Sequence, residues 1–223
     1  MMQTAIAPVS LEETVTLEQT ARAMDALIVP GKRPNGKLAF WNACLSTRNF
    51  LKRNCSQAII MRQYIDRPLP LNRDELHAQL GGVLGRTLNS LYEIERLWHA
   101  GIIHFNCGST FEEQSTWRDS MCAAIPGMGM KTVSFALHIY APYECELLAI
   151  DCWHLERLHV DCRTLRRKQY LAYEIEIRND CWTLDTAEAA IDGGYPLIVL
   201  AACLWFRVRR QEVAEHGGLS CYV

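Results

Sequence analysis

The chain has 223 residues, of which 49% are hydrophobic and 22% are charged, and its formal net charge is −2. A chain of this length and composition can bury a sizeable core as a compact body of one or two lobes, which indicates a soluble globular protein. The longest apolar run, 197–206, is about half of the roughly 20 residues that span a bilayer, and the N-terminus is acidic, which argues against a membrane span and a signal peptide.

In chain order the pattern is almost entirely helical, so the predicted fold class is all-α. Residues 1–36 are weakly patterned and end in a loop rich in proline and glycine, which predicts an N-terminal arm and linker. Apolar periodicity, glycines and prolines predict the following helices: about 38–65 with a break near Thr47, 73–81, 84–99, 110–124, 131–140, 151–160, 163–180, 183–191 and 196–213. The alternation over Tyr173–Ile177 is also compatible with a strand.

Two of these helices carry predictions about individual side chains. In the helix over 84–99, four residues fit one apolar face: Leu84, Leu88, Leu91 and Trp98. At the start of the helix over 110–124, Ser109 and Glu112 fit a capping box. Three residues fall at helical spacing toward the end of that helix: Trp117, Met121 and Ile125.

A tight turn is predicted directly after the helix over 110–124. Pro126 cannot continue that helix, and Gly127 and Gly129 permit positive φ. The next helix therefore begins just after the turn, with its unpaired N–H groups facing outward. Such an end suits a phosphate, because the helix dipole is positive there and glycines let a nucleic-acid backbone come close.

The turn is followed by Lys131 and, twenty residues later, by Asp151. This pattern resembles the hairpin, lysine and aspartate of the helix-hairpin-helix (HhH-GPD) DNA glycosylases, which include endonuclease III and 8-oxoguanine DNA glycosylase. The resemblance implies a base-excision repair enzyme that acts on double-stranded DNA containing a damaged base. It also implies DNA contacts from the hairpin residues Gly127, Met128, Gly129 and Met130.

The resemblance further implies a two-lobed helical fold with the active-site cleft between the lobes. Residues 37–150 would form the lobe that contains the helix-hairpin-helix, at about 116–140. Residues 151–223 would form a C-terminal lobe that packs with the arm over 1–36. We expect a monomer inside the cell, in the cytoplasm or nucleoid, with no membrane partner.

A second point of resemblance is the string Leu45-Ser46-Thr47-Arg48. Endonuclease III-like proteins carry Leu-Ser-Ala-Gln or Leu-Ser-Thr-Arg in their early helices, and the last residue lies beside the gap left by the extruded base. Arg48 stands at that position, at close to the family's usual sequence distance from Lys131, which implies that it contacts DNA. The alternative is a surface arginine at a helix break.

The ten cysteines are irregularly spaced and include no C-x-x-C pair, so the sequence proposes neither a zinc site nor a disulfide framework. Many relatives of endonuclease III hold an iron–sulfur cluster on four closely spaced cysteines near the C-terminus, and the cysteines from Cys152 to Cys221 form no such group. We therefore expect no metal and no iron–sulfur cluster. A monovalent cation at the hairpin is compatible with the resemblance. Most of the cysteines are predicted to be small buried hydrophobic residues.

The chemistry implied by the family explains these residue types. A glycosylase extrudes the damaged nucleotide into a pocket before it cleaves the glycosidic bond. Lysine at the hairpin marks the bifunctional glycosylase/lyase members, in which the neutral amine displaces the base, forms a Schiff base at the sugar C1′ and allows elimination to cut the strand. The site of Lys131 must favour the neutral amine. Asp151, predicted to cap a helix, would stabilise the cation-like sugar and help to activate the nucleophile.

Other functions stay open because the chain departs from the family in two respects. Many relatives carry a histidine two residues after the aspartate, where this chain has Trp153, and His154 and Arg157 are shifted by one position. The net charge of −2 is unlike that of most duplex-binding domains. The alternatives are a non-catalytic helix-hairpin-helix module that binds DNA and an all-helical interaction protein.

Overall fold

The computed structural model describes residues 35–46, 51–141, 144–150 and 166–183. Within these ranges all regular structure is helical, as predicted. The helices are α1 (Gly36–Leu45), α2 (Leu51–Arg62), α3 (Arg73–Gln79), α4 (Gly85–His99), α5 (Phe111–Ala124), α6 (Met130–Tyr140) and α7 (Arg167–Thr183). The predicted arm and linker over 1–36, apart from its last two residues, and the predicted helices over 151–160, 183–191 and 196–213 lie wholly or almost wholly outside the described residues.

The first helix, α1, is the central helix of the described core. It packs against α2, α4 and α6, and nearly all of its residues are buried, so other parts of the protein cover it on every side. Gly36 allows a close approach, since a Cβ there would lie 2.4 Å from the Trp98 ring. Lys37 is buried as well. Its Nζ donates to the carbonyl oxygen of Tyr64 at 3.1 Å and lies 3.6 Å from the Glu95 carboxylate, so its charge is paired.

The helices α5 and α6 pack against each other as a helix-turn-helix unit. A capping box starts α5, but it is formed by Thr110 and Glu113, one residue later than the predicted Ser109 and Glu112. The Glu113 carboxylate accepts from the N–H groups of both Ser109 and Thr110 at 3.0 Å. The predicted capping pair was wrong. Both pairs have the required residue types and spacing, so the sequence does not distinguish them, but only the Glu113 carboxylate accepts hydrogen bonds from the backbone ahead of α5.

The apolar faces of α4 and α5 follow the predicted periodicity with one exception. Five of the predicted residues are buried: Leu88, Leu91, Trp117, Met121 and Ile125. Trp98 is half-buried, whereas Leu84 is 51% exposed. Leu84 is the N-cap of α4, with φ −59° and ψ 141°, so it lies ahead of the first helical turn and not on the buried face.

The last described helix, α7, runs without a break through Tyr173–Ile177, so the predicted helix is confirmed there and a strand is excluded. It continues beyond the predicted end at 180 to Thr183, the last residue that the structure describes. Burial does not follow the alternation of apolar and acidic residues, because the acidic Glu174 is buried and the apolar Ile175 is 48% exposed. Among the residues that the structure describes, no helix has the length and apolar character needed to cross a bilayer.

Candidate active site

The turn between α5 and α6 is a type II β-turn over Ile125–Met128. Ile125 ends α5 with φ −104° and ψ 104°, the extended backbone that a following proline favours. The N–H of Met128 donates to the carbonyl oxygen of Ile125 at 3.2 Å, and Gly127 has a φ of 83°. Proline at the second position and a glycine with positive φ at the third are the residues that this turn favours. The predicted tight turn is therefore present.

The turn is held against α4 by Ser90. The Ser90 hydroxyl donates to the carbonyl oxygen of Pro126 at 2.7 Å and lies 3.0 Å from that of Arg86, one helical turn earlier. A Cβ on Gly127 would lie 2.9 Å from the same hydroxyl oxygen. Glycine is therefore required at position 127 both by the backbone conformation and by the close approach of α4.

The second glycine of the turn, Gly129, has a different role. Its φ of −95° and ψ of 176° are extended backbone that any residue adopts, so the turn uses the positive φ that both glycines permit at Gly127 and not at Gly129. Gly129 is the N-cap of α6, where its carbonyl oxygen accepts from the N–H groups of Thr132 and Val133 at 3.0 Å. A Cβ on Gly129 would meet no atom of the described residues within 4 Å. Within the part of the chain that the structure describes, the start of α6 therefore faces an open surface and carries no side-chain cap.

The lysine that the sequence predicts as the nucleophile, Lys131, is the second residue of α6 and is half-buried. Its Nζ lies 5.4 Å from the centroid of the Phe135 ring, one turn further along the helix. This contact orients the side chain along α6. Nucleophilic attack would require the amine to leave the ring and lose its proton.

The two methionines of the hairpin are placed differently from each other. Met128 is 4% exposed and belongs to the hydrophobic core, whereas Met130 is half-buried. A DNA contact at position 128 would therefore have to be made by the backbone and not by the side chain. Arg48 and Asp151 lie outside the described residues, so their predicted proximity to Lys131 stays a prediction.

The start of α4 lies beside the turn, and sequence reasoning missed it. Arg86 is exposed in the first turn of α4, on the side that Ser90 joins to Pro126. The Cys44 thiol near the end of α1 contacts the carbonyl oxygen of Thr87 at 3.9 Å. The ends of three helices therefore meet at one place. A signal was available in the sequence, since glycines precede Arg86 as they precede the lysine of the hairpin.

A buried ion pair joins α5 to α7. Arg118 of α5 donates two hydrogen bonds of 2.8 Å to the Glu174 carboxylate of α7, and neither side chain is exposed. Arg118 also donates to the Ser134 hydroxyl of α6 at 2.9 Å. Burial lowers the pKa of Arg118, but the hydrogen bonds and charge of Glu174 outweigh it and raise the pKa above its ordinary value. The pair therefore joins α5, α6 and α7 in the charged state.

Among the four cysteines whose side chains the structure describes, Cys44 and Cys145 are buried, and Cys107 and Cys122 are half-buried. Burial raises the pKa of Cys44 to about 12 and that of Cys122 to about 11, and it raises the pKa of Cys145 further. Such thiols are unreactive at neutral pH. No group of three or more His, Cys, Asp or Glu side chains in the described ranges is arranged to hold a metal ion. The expectation that the chain carries no iron–sulfur cluster stays a prediction, because most of the later cysteines lie outside those ranges.

Comparison of the chain with protein-family models, with curated proteins and with solved structures gives no match.

The two glycines of the turn are expected to differ in their tolerance of alanine. Gly127→Ala introduces a side chain at positive φ, at a cost of about 1–2 kcal/mol, and places its Cβ against Ser90. Gly129→Ala introduces a methyl group into open space at a permitted φ. Thermal unfolding should show a midpoint lowered by roughly 2–8 °C for the first variant and almost unchanged for the second. Equal losses of stability would contradict the assigned turn geometry.

Proposed function

We propose that this protein is a DNA N-glycosylase with AP lyase activity, of the two-lobed helix-hairpin-helix type, acting on duplex DNA that contains an oxidised base. The observation that carries the proposal is the position of Lys131, half-buried in the first turn of α6 and directly after a type II turn. The open surface at Gly129 would give a sugar-phosphate backbone room to approach this lysine from the start of α6. The lysine and the turn have the residue types and the order that the family resemblance implies.

The reaction would begin at the amine of Lys131. After Nζ has lost its proton, it forms a bond to C1′ of the extruded nucleotide while the bond from C1′ to the base breaks, and the base leaves with a proton. Opening of the sugar ring gives a Schiff base. Removal of a proton from C2′ then breaks the C3′–O bond, which expels the 3′ phosphate and cuts the strand. Asp151 would stabilise the positive charge that develops on the sugar.

The hairpin would hold the DNA through one phosphate next to the reacting sugar. The start of α6 supplies the positive end of the helix dipole, and Gly129 leaves room for the phosphate. Arg86, exposed in the first turn of α4, supplies a full positive charge beside the same turn. A local cationic surface of this kind is compatible with a net charge of −2, because phosphate contacts depend on local charge.

The proposal is tested by borohydride trapping on a panel of duplexes. The panel contains an abasic site, 8-oxoguanine, an oxidised pyrimidine, or no damage. Borohydride reduces an imine between lysine and C1′ to a stable amine, so a bifunctional enzyme becomes covalently bonded to the abasic duplex and to at least one damaged duplex. Salt-sensitive binding without trapping would indicate a non-catalytic DNA-binding module. The absence of any duplex binding would leave the protein as a helical interaction protein.

Gly129→Val is expected to weaken binding to damaged and undamaged duplexes by the same factor. The substitution is compatible with the extended backbone, but its methyl groups would occupy the surface where the phosphate lies. Because a phosphate contact carries no sequence information, every duplex should be affected alike. The slope of log K against log salt should fall by about 1 for the loss of one phosphate. Fluorescence anisotropy at several salt concentrations measures both quantities.

The matched control for this prediction is Ala100→Val. Ala100 is exposed at the opposite end of α4 from Arg86, so the same valine side chain is introduced far from the turn. Binding by the control should equal that of the wild type. If Gly129→Val stays folded and also binds DNA with wild-type affinity and salt dependence, the hairpin is only a connection between helices.

A further inference from the structure

The residues that lead into Asp151, 144–150, are held by side chains and not by a helix or a sheet. Gln114 of α5 fixes the beginning of this segment. Its amide donates to the carbonyl oxygen of Glu144 at 2.6 Å and accepts from the N–H of Glu146 at 2.7 Å. Gln114 is completely buried, so water does not compete for these two bonds.

Two side chains of α7 fix the end of the same segment. Glu174 accepts from the N–H of Leu148 at 2.8 Å. The Tyr170 hydroxyl accepts from the N–H of Ile150 and donates to the carbonyl oxygen of Leu148, both at 3.0 Å. Burial, together with the charge of Glu174, raises the pKa of Tyr170, so the hydroxyl keeps the proton that it donates. Because Ile150 directly precedes Asp151, Tyr170 binds the backbone one residue before the predicted catalytic carboxylate.

The same Glu174 carboxylate is joined to the helix that carries Lys131. Glu174 pairs with Arg118, and Arg118 donates to the Ser134 hydroxyl at 2.9 Å. Ser134 lies three residues after Lys131, on the next turn of α6. A continuous set of buried hydrogen bonds therefore runs from the helix of the predicted nucleophile to the backbone that precedes Asp151.

We propose that Tyr170 and Glu174 are positioning residues that fix the backbone of 148–150, directly ahead of the predicted catalytic Asp151, relative to the helix that carries Lys131. This inference rests on the function proposed above. Neither side chain needs to contact DNA, because both act through the backbone of 148–150. A segment without helix or sheet bonds depends on side-chain partners for its position. A displacement of about 1 Å in a catalytic group can lower a rate by about 100-fold.

The variant that tests the proposal is Tyr170→Phe. It removes both bonds to the segment but keeps the ring, over which the Arg118 guanidinium lies at 5.4 Å. Glu174→Gln is less suitable because it leaves Arg118 buried beside a neutral partner and is expected to unfold the protein. In single-turnover experiments on a damaged duplex, we expect Tyr170→Phe to slow base release by about 10- to 100-fold with duplex affinity unchanged.

Two controls separate positioning from stability. Tyr92→Phe removes a hydroxyl that donates to the carbonyl oxygen of Pro70 at 2.6 Å, remote from the segment, and should leave base release unchanged. The second control introduces Tyr170→Phe into an Asp151→Asn protein. If Tyr170 acts through Asp151, the double variant should be no slower than Asp151→Asn alone, because contributions that depend on the same group are not additive.

The possible outcomes are distinct. If Tyr170→Phe slows base release equally in the wild-type and Asp151→Asn proteins, Tyr170 acts independently of Asp151 and the inference is overturned. A loss of duplex affinity that matches the loss of rate would also overturn it, because Tyr170 would then only stabilise the fold. An active wild type whose Tyr170→Phe variant behaves like Tyr92→Phe would overturn the inference and leave the proposed function intact. A wild-type protein that neither releases a base nor becomes trapped would overturn both.

Discussion

Replacing Lys131 with alanine or glutamine is expected to abolish borohydride trapping and strand cutting while the protein stays folded. Only an amine at the reacting position can give an imine that borohydride reduces. The side chain is half-buried, and the cost that follows from its contact with the Phe135 ring is about 0.5–1 kcal/mol at an accessible site. A loss of this size lowers the unfolding midpoint by roughly 1–4 °C. Denaturing gels of trapped complexes and thermal unfolding measure the two effects separately.

The control for this prediction is Lys168→Ala. Lys168 is an exposed lysine of α7, so its removal deletes the same charge from a different surface. Trapping by this control should equal that of the wild type. Persistent trapping by the Lys131 variants, with its loss in Lys168→Ala, would move the nucleophile to Lys168 and remove the hairpin lysine from the mechanism.

The sequence was sufficient to predict the elements whose signals are local. The turn after α5 depends on Pro126 and Gly127, which restrict the backbone by themselves, and the structure has a turn there with φ 83° at Gly127. The start of α6 and the buried face of α5 follow from helical periodicity in the same way. The sequence does not tell which of the two glycines adopts a positive φ, because glycine permits that conformation without requiring it.

Contacts between residues distant in the chain could not be predicted from the sequence. Arg118 and Glu174 are 56 residues apart, and nothing in either local pattern marks them as a buried pair. The helix predicted over 163–180 is present around Glu174, but the alternation over Tyr173–Ile177 does not reveal that this carboxylate is buried. Its burial depends on Arg118, which neutralises the charge from another helix.

One part of the candidate site follows from local sequence signals, and the other part depends on contacts between residues distant in the chain. The lysine and its turn lie on one continuous stretch, so their relative position follows from α6 and the turn alone. The position of the backbone before Asp151 depends on Gln114, Tyr170 and Glu174, which belong to two other helices. Sequence spacing alone therefore names the two catalytic candidates, and packing between helices positions the backbone of 144–150 that leads to the second of them.

Asp151→Asn is expected to lower base release by about 10²–10³-fold while duplex binding stays close to that of the wild type. Asparagine can still cap a helix, so the predicted structural role of the residue is kept. The substitution removes the negative charge that would stabilise the cation-like sugar, and removing one such group typically costs a rate factor of this size. Single-turnover base release and duplex binding, measured on the same damaged duplex, separate the two effects.

Asp74→Asn is the matched control for the aspartate at position 151. Asp74 is an exposed aspartate in the first turn of α3, so the same change removes a negative charge from the start of a different helix. This substitution should lower the free energy of unfolding by about 0.3–1 kcal/mol, because Asp74 no longer interacts with the helix dipole, and base release should be unchanged. If Asp151→Asn also releases the base at the wild-type rate, Asp151 is only a helix cap, and Lys131 would need another group to stabilise the developing charge.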